Sequence, residues 1–523
     1  MIAKNPKIFV ISNEHALDYS ENTLNHLFQS SVQKLFANKG LIEPTQTPQR
    51  NMFENQKVLG EFALKVQSMD ASNKSSGSEF STDLLRLYYE RLFPYEQMFS
   101  WFSYGRDPKD KSLSSEEQDY FYRREWSFTI EDDIYIRYQC FRDVDEFKAG
   151  IQKRQPHKID IGAVFTAPPK DHNTIDPEKF TPEERELVFD VDMDDYNEVR
   201  SCCTGAKICP KCWPFMVMAV KCVDAALRED FGYQNILWIF SGRRGVHCWV
   251  CDPAARALAN GEGDAVGSYL NVEFAGNENS ADQRLMKTFT GTKESQGKMH
   301  PSLRRAYDIL EPMFEKYIIG ESGQGLLATK KAYMPILNAL PDQGIREDLY
   351  KKWEKQPELK ASDRWQMIKD ATTPADEREP GKKRMKLDPD VELKLQGWRN
   401  ELVLRYTYPR LDVNVSKHRN HLLKSPFCVH PKTGRVCVCI DPKKAETFNP
   451  FTVPTVRKLE EEINEFDKDP ENANRTGVKD LDKTSLKTSI DFFENNFLEG
   501  LRVHARREAR DRADKKSAMI VDF

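Results

Sequence analysis

Two aspartates separated by one residue end a short apolar run in Glu186-Leu187-Val188-Phe189-Asp190-Val191-Asp192-Met193-Asp194-Asp195-Tyr196. On a strand, side chains alternate faces, so Asp190 and Asp192 point the same way. Paired carboxylates repel unless something positive lies between them, and divalent cations held by oxygen ligands commonly serve phosphoryl transfer. Taken alone, the pattern equally fits an acidic strand end running into a polar turn. A second segment changes that balance. The apolar strand Ile236–Phe240 runs into Ser241-Gly242-Arg243-Arg244-Gly245-Val246-His247, with Trp249 behind. Its glycines let backbone amides approach a phosphate, Arg243 and Arg244 offer forked donors, and His247 adds another. Solvated arginines on a basic hairpin are the plain alternative, but a triphosphate needs both a cation and fixed positive groups. Asp412, in a strand-like stretch from Tyr408 to Lys417, is a third carboxylate, and three can grip two metal ions. Lys424 and His430 follow; taken alone they read as a surface lysine and a turn residue.

Between the first two segments lie Cys202-Cys203 and Cys209-Pro210-Lys211-Cys212. The C-x-x-C knuckle lets two thiolates reach one tetrahedral zinc, and the adjacent pair completes a four-sulfur, structural site. A redox C-x-x-C would leave the other two thiols unexplained. The remaining cysteines, including Cys437 and Cys439 on an expected strand, read as core or surface residues.

The elements that must position these groups follow from pattern. A helix-like run from Leu84 leads to Trp101 and Phe102. Glu125–Ile130 and Ile134–Tyr138 flank Glu131-Asp132-Asp133 as a hairpin would, and Lys158–Phe165 is a further strand. A helix is expected from Phe215 to Phe231. Strand, helix and strand in this order indicate a mixed α/β core. Residues 253–395 turn helical and polar, with an exposed loop over 372–387, and read as an insertion between two parts of the core. The tail from Val456 is helical, with an apolar stripe at Ile490, Phe493, Phe497 and Leu501 before a basic run, Arg502–Lys516. Residues 1–80 carry no nameable chemistry, and Ser68–Ser78 reads as a linker. Five segments result: 1–80, a partly disordered extension; 81–252, core with the cysteine motif; 253–395, helical; 396–455, core; and 456–523, helices and basic tail.

Composition excludes several classes. With 39% hydrophobic and 31% charged residues and no run of roughly 20 apolar residues, the chain does not read as a membrane protein. Ile8–Ile11 is too short for the core of a signal peptide, so cytosol or nucleus is expected. Eleven cysteines in 523 residues do not make a disulfide scaffold. A net charge of −4 argues against an autonomous, tight DNA-binding module, so any polyanion site must be a local concentration of Arg and Lys.

The segments FDVDMDDY, CCTGAKICPKCW, SGRRGVHCWV, RLDVNVSK and HLLKSPFCVHPKTGR resemble, in order, the small catalytic subunit of eukaryotic DNA primase, a member of the archaeo-eukaryotic primase superfamily. The resemblance extends, with interruptions, from about Leu85 to Thr455. It implies a primase core of mixed β-sheets with flanking helices, a zinc motif and a helical subdomain. It also implies nuclear, de novo synthesis of short RNA primers from ribonucleoside triphosphates on single-stranded DNA. The catalytic carboxylates resemble Asp190, Asp192 and Asp412, holding two Mg²⁺ or Mn²⁺ ions, and the zinc ligands resemble Cys202, Cys203, Cys209 and Cys212. Nucleotide contacts would fall to Ser241, Arg243, Arg244, His247, Lys424 and His430. Glu125, Arg137, Lys158 and Asp160 would lie nearby, with Arg137 on phosphate and Asp160 on the sugar. A large subunit with an iron–sulfur domain and DNA polymerase α are the implied partners. The chain departs from the family pattern in its first ~80 residues, a lineage-specific extension or a gene-model artefact, in 253–395 and in its C-terminal tail. Two alternatives remain: a primase-polymerase or repair polymerase preferring dNTPs, and a non-catalytic zinc-containing subunit of a replication complex.

Overall fold

The computed structural model describes residues 79–272, 299–373, 387–472, 475 and 477–521. Residues 1–78, including the expected linker, and most of the expected 372–387 loop lie outside the described residues. Two sheets, antiparallel at every pairing, carry the candidate site. In the first, β1 (Arg124–Thr129) lies between β2 (Tyr135–Gln139) and β3 (Lys158–Phe165). The expected hairpin forms, with Asp132 and Asp133 in the left-handed region (φ +60° and +55°), which aspartate tolerates better than most residues. Strand β1 is buried on both faces: Trp126 and Phe128 pack into the core, while Glu125 and Ser127 share the opposite side. The far edge of β3 is shared by β4 (Pro182–Glu184) at one end and β8 (Leu423–Lys424) at the other.

The second sheet has the order β5-β7-β6-β9, from β5 (Leu187–Val191), β6 (Ile236–Phe240), β7 (Val246–Val250) and β9 (Cys439–Ile440). Strands β5 and β6 run parallel, as a strand–helix–strand unit requires, but β7 is inserted between them and makes every contact antiparallel.

Among the helices, α1 (Thr82–Arg91), α2 (Tyr95–Ser103) and α3 (Val144–Arg154) pack with the first sheet. Helix α2 joins the two sheets. Trp101 stacks on Phe102 at 4.2 Å, Trp101 meets Trp249 of β7 edge-on at 5.6 Å, and Phe102 meets Trp126 of β1 at 5.5 Å. The expected apolar stripe closes the same core: Phe493 and Phe497 lie 5.7 and 5.1 Å from Trp101, and Ile490 and Leu501 are buried. A buried ion pair pins β1 to the approach to β5. Arg124 holds Glu186 with two bonds of 2.8 and 2.9 Å, both side chains are 0% exposed, and the Tyr104 hydroxyl donates to Glu186 at 2.7 Å.

Helix α4 (Pro214–Glu229) fills the expected position and buries a broad apolar face, leaving one polar stripe at Lys221, Asp224 and Arg228. Beyond it come α5 (Asn260–Leu270), α6 (Pro301–Phe314), α7 (Lys330–Asn338), α8 (Gln343–Lys355), α9 (Ala361–Thr372) and α10 (Pro389–Thr407). The helical character expected for 253–395 is present in its described residues, but α10 runs unbroken through residue 395. The described residues cluster as one unit, with no division among them at either end of that segment. After α10 come α11 (Val413–Lys417), α12 (Val456–Lys468) and, beyond a short helix (Lys487–Phe492) and its π-helical continuation (Phe493–Leu498), α13 (Glu499–Val521). Among the described residues no helix is long and apolar enough to cross a membrane.

Candidate active site

Strand β5 delivers Asp190 opposite His247 of β7 and ends at Val191, leaving Asp192 just past the strand. Both aspartates nevertheless line one cleft of about 370 Å³, together with Asp194, Asp195, Leu411, Asp412 and Asn414. The strand expected around Asp412 is absent. Asp412 is instead the N-cap of the five-residue helix α11, its Oδ1 accepting the Asn414 N–H at 3.0 Å. The reason is local, since an aspartate satisfies an orphan amide at a helix start better than it serves a strand interior. The Asp412 N–H in turn donates to the Asp190 carbonyl at 3.1 Å, joining residues more than two hundred positions apart.

The cleft is strongly negative. Asp190 Oδ1 is buried with no hydrogen-bond partner, and the His247 Nε2 lies 3.6 Å away, beyond a good hydrogen bond. Burial, followed by the charges of Asp192 and Asp412, pushes the Asp190 carboxyl up to about 8. Burial together with Asp192 and Asp194 also raises Asp195. Arg244 supplies the counter-charge, reaching Asp192 at 2.9 Å and Asp194 at 2.8 Å. It therefore faces the carboxylates, whereas Arg243 has no hydrogen bond or ion pair among the described residues. Carboxylates around an orphaned oxygen fit a hard divalent cation such as Mg²⁺ or Mn²⁺. The cysteine sulfurs described below form the one tight ligand cluster found among the described residues.

The wall beside the carboxylates is basic. In the turn joining β6 to β7, Ser241 Oγ accepts the Gly245 N–H at 2.9 Å and Gly242 sits at φ +84°. A Cβ on Gly245 would lie 2.5 Å from both Asp192 Oδ1 and the Val191 carbonyl, so only glycine lets this turn approach the aspartates. Lys424 of β8 is paired in register with Asp160 of β3, and its Nζ donates to the Ser241 carbonyl at 3.0 Å, bridging the two sheets. His430 flanks the same turn, its Cβ 2.8 Å from where a Cβ on Gly242 would stand. Burial, then Lys424 and Lys158, holds His247 down at about 3; burial, then Lys424 and Arg243, does the same for His430. Both imidazoles are neutral at physiological pH. Lysines and an arginine crowded closely enough to keep these imidazoles unprotonated suit an anionic ligand.

Glu125, Arg137, Lys158 and Asp160 come together on the first sheet. Arg137 grips the buried Glu125 through bonds of 2.9 and 3.0 Å, and Lys158 pairs with Asp160 at 3.0 Å. Tyr135 donates to Asp160 at 3.3 Å. A register irregularity between β1 and β2 puts Tyr138 at φ +58°, a strained conformation for a tyrosine, with the Arg137 guanidinium 4.8 Å over its ring.

The expected cysteine motif also assembles. The sulfurs of Cys202, Cys203, Cys209 and Cys212 all lie within 4.8 Å of one another. A tetrahedral zinc with Zn–S bonds of about 2.3 Å places its sulfurs about 3.8 Å apart, so the set fits a closed structural site. The Cys209 amide donates to Cys212 Sγ at 3.2 Å, and buried Arg200 ties the intervening loop by donating to the carbonyls of Gly205 and Lys207. Gln324, from the helical region, donates to Cys202 Sγ at 3.6 Å and to the Lys211 carbonyl at 2.7 Å. Cys437 and Cys439 are buried apart from this cluster, and only Cys439 lies on a strand.

Sequence reasoning passed over Asp194, Asp195 and Asn414, which line the cleft, and Gln324. The first two stand in the quoted acidic run and were open to the same charge argument; nothing in the sequence links Gln324 to the cysteines.

Two antiparallel sheets presenting an acidic cleft against a basic turn, in a chain with a four-cysteine cluster, form a mixed α/β architecture whose groups suit a nucleotidyltransferase. The family model described as DNA primase small subunit matches residues 189–442, which span the cysteines, the basic turn and Asp412. The chain is 43% identical to the DNA primase small subunit of Drosophila melanogaster over 436 residues, 80% of this chain and 90% of that one. It is 39% identical to that of Schizosaccharomyces pombe, covering 75% and 79% of the two chains, and 34% identical to that of Saccharomyces cerevisiae, covering 87% and 100%. The chain belongs to the DNA primase small subunit family.

Proposed function

We propose that this chain synthesises short RNA primers de novo on single-stranded DNA during replication in the nucleus, by nucleotidyl transfer from ribonucleoside triphosphates. The reading is carried by one observation above the rest: the Asp412 N–H bonded to the Asp190 carbonyl at 3.1 Å, which brings a third carboxylate to the cleft beside the Ser241–Gly245 turn. Asp190, Asp192 and Asp412 would hold two Mg²⁺ or Mn²⁺ ions, whose charge would lower the pKa of the primer 3′-hydroxyl and offset charge on the departing pyrophosphate. Ser241, Arg243, Arg244, Lys424, neutral His247 and His430 and the turn's backbone amides would bind the triphosphate. Arg137 reaches phosphate from its rest on Glu125, and Asp160, held by Lys158 and Tyr135, faces the sugar. The four cysteines hold one structural zinc.

The net charge of −4 supports dependence on a partner for holding template. A large subunit with an iron–sulfur domain and DNA polymerase α fill that role, and the words "small subunit" in the relatives' names support the first. The test is primer synthesis on poly-dT with ATP and Mg²⁺ or Mn²⁺, with and without the large subunit. Short poly-rA products that require Asp190 and Asp192 are expected. Strong preference for dNTPs over NTPs would move the chain to the primase-polymerase class. Undiminished synthesis by an Asp190→Ala, Asp192→Ala variant would overturn the catalytic assignment.

A further inference from the structure

We propose that Arg185 is a positioning residue for the third carboxylate, clamping α11 so that its N-cap Asp412 stays over the open edge of β5, with Ser416 as a second tie. This rests on reading Asp412 as a metal ligand.

Strand β5 is an edge strand of its sheet, so its outward carbonyls have no strand partner. The segment 412–416 covers that edge. The Asp412 N–H reaches the Asp190 carbonyl at 3.1 Å, and Ser416 Oγ donates to the Val188 carbonyl at 2.6 Å. A helix of five residues has no stability of its own, so its placement must be imposed by neighbours. Helix α5 supplies a close-packed track. Gly263 and Gly267 lie one turn apart, and a Cβ on Gly263 would stand 2.8 Å from the Ser416 carbonyl.

Arg185 supplies the clamp. Lying two residues before β5 and only 5% exposed, it donates from one terminal nitrogen to the carbonyls of Val415 at 3.0 Å and His418 at 2.9 Å. These are carbonyls at the C-terminal end of α11, where no further helical turn donates to them and a cation is favoured. Arg185 has no carboxylate partner among the described residues, and its other terminal nitrogen is buried without a hydrogen bond. Its neighbour Arg124 has the fully buried Glu186 as a bidentate counter-ion. A buried charge facing only carbonyls costs more than an apolar side chain of the same size would. What it delivers is a fixed position for the end of α11 and, through fewer than two helical turns, for Asp412. Burial lowers its pKa to about 10, which leaves it cationic at neutral pH.

The test uses the full chain and its Ser416→Ala, Arg185→Lys, Arg185→Met and Asp412→Asn variants, assayed for primer synthesis against Mg²⁺ and Mn²⁺ concentration well below their melting temperatures. Zinc content is measured in parallel. Ser416→Ala and Arg185→Lys are expected to raise the half-saturating metal concentration about tenfold, with the NTP KM at saturating metal and the zinc content unchanged. Excess Mn²⁺ should recover most of their rate, whereas Asp412→Asn should stay inactive at any metal concentration. A merely structural role would lower the melting temperature without moving the metal dependence. An unchanged half-saturating concentration in both Ser416→Ala and Arg185→Lys, with Asp412→Asn inactive, would overturn the clamp; these two variants decide it if Arg185→Met does not fold. An active Asp412→Asn would instead overturn the metal-site reading on which the clamp rests.

Discussion

Replacing Asp190 with Asn should stabilise the metal-free protein while abolishing nucleotidyl transfer. Burial, with Asp192 and Asp412 close by, raises the Asp190 carboxyl from 3.8 to about 8. The unfolded chain gives up the same proton near the ordinary carboxylate value. The folded, metal-free protein therefore loses stability through this group as pH rises from about 4 to about 8, and loses no more above that. About four pK units at about 1.4 kcal/mol each set a ceiling of about 6 kcal/mol at pH 8. The side chain keeps 26% of its surface exposed at the cleft. Water there relaxes the penalty, so the expected gain from Asp190→Asn is about 2 kcal/mol at pH 8 and well under 1 kcal/mol at pH 5. The assay is denaturation of parent and variant between pH 5 and 8, in buffers freed of Mg²⁺ and Mn²⁺ but without a strong chelator, so that zinc is retained. Adding Mn²⁺ should then stabilise the parent and not the variant. A variant no more stable than the parent at pH 8, or an advantage that does not change with pH, would refute the argument that this carboxylate is held in strain for a cation.

Metal analysis should find about one zinc per chain, lost in Cys209→Ser together with several kcal/mol of stability; a zinc-free, equally stable parent would sink the zinc reading. Arg243→Ala should weaken NTP binding about tenfold with Mn²⁺ binding retained, and unchanged NTP affinity would return the basic turn to a solvated hairpin. Glu186→Gln leaves Arg124 charged and uncompensated between the sheets and should cost about 3–5 kcal/mol in denaturant unfolding; a loss below about 1 kcal/mol would mean the pair is not the lock it looks like.

Much of the site was legible because its chemistry is local in sequence. The D-x-D pair, the Ser-Gly-Arg-Arg-Gly turn and the C-x-x-C knuckle each carry side chains and backbone freedom that few structural needs require together. The strands that present them announce themselves by apolar runs: Ile236–Phe240 was read to the residue. The reading failed where a residue's role depends on an element far along the chain. Asp412 looked like a strand residue because its neighbours alternate, yet it caps a helix whose place is set by β5, Gly263 and Arg185. The ion pairs of Arg244 with Asp192 and Asp194 were likewise out of reach, because only the fold brings the turn against those aspartates.

The sequence by itself determined which groups are present and that their types suit a metal and a triphosphate, since charge, thiol count and glycine placement are properties of the chain. Tertiary structure decided which groups meet. It put Asp412 on the Asp190 carbonyl, set Lys424 as a bridge between the sheets and gave Gln324 to the cysteines. Hydrogen bonds and burial across a fold depend on relative positions that no local pattern encodes. For the same reason the pKa values of Asp190, His247 and His430 could not be read from the sequence: each is set by its degree of burial and by charges that only folding brings near.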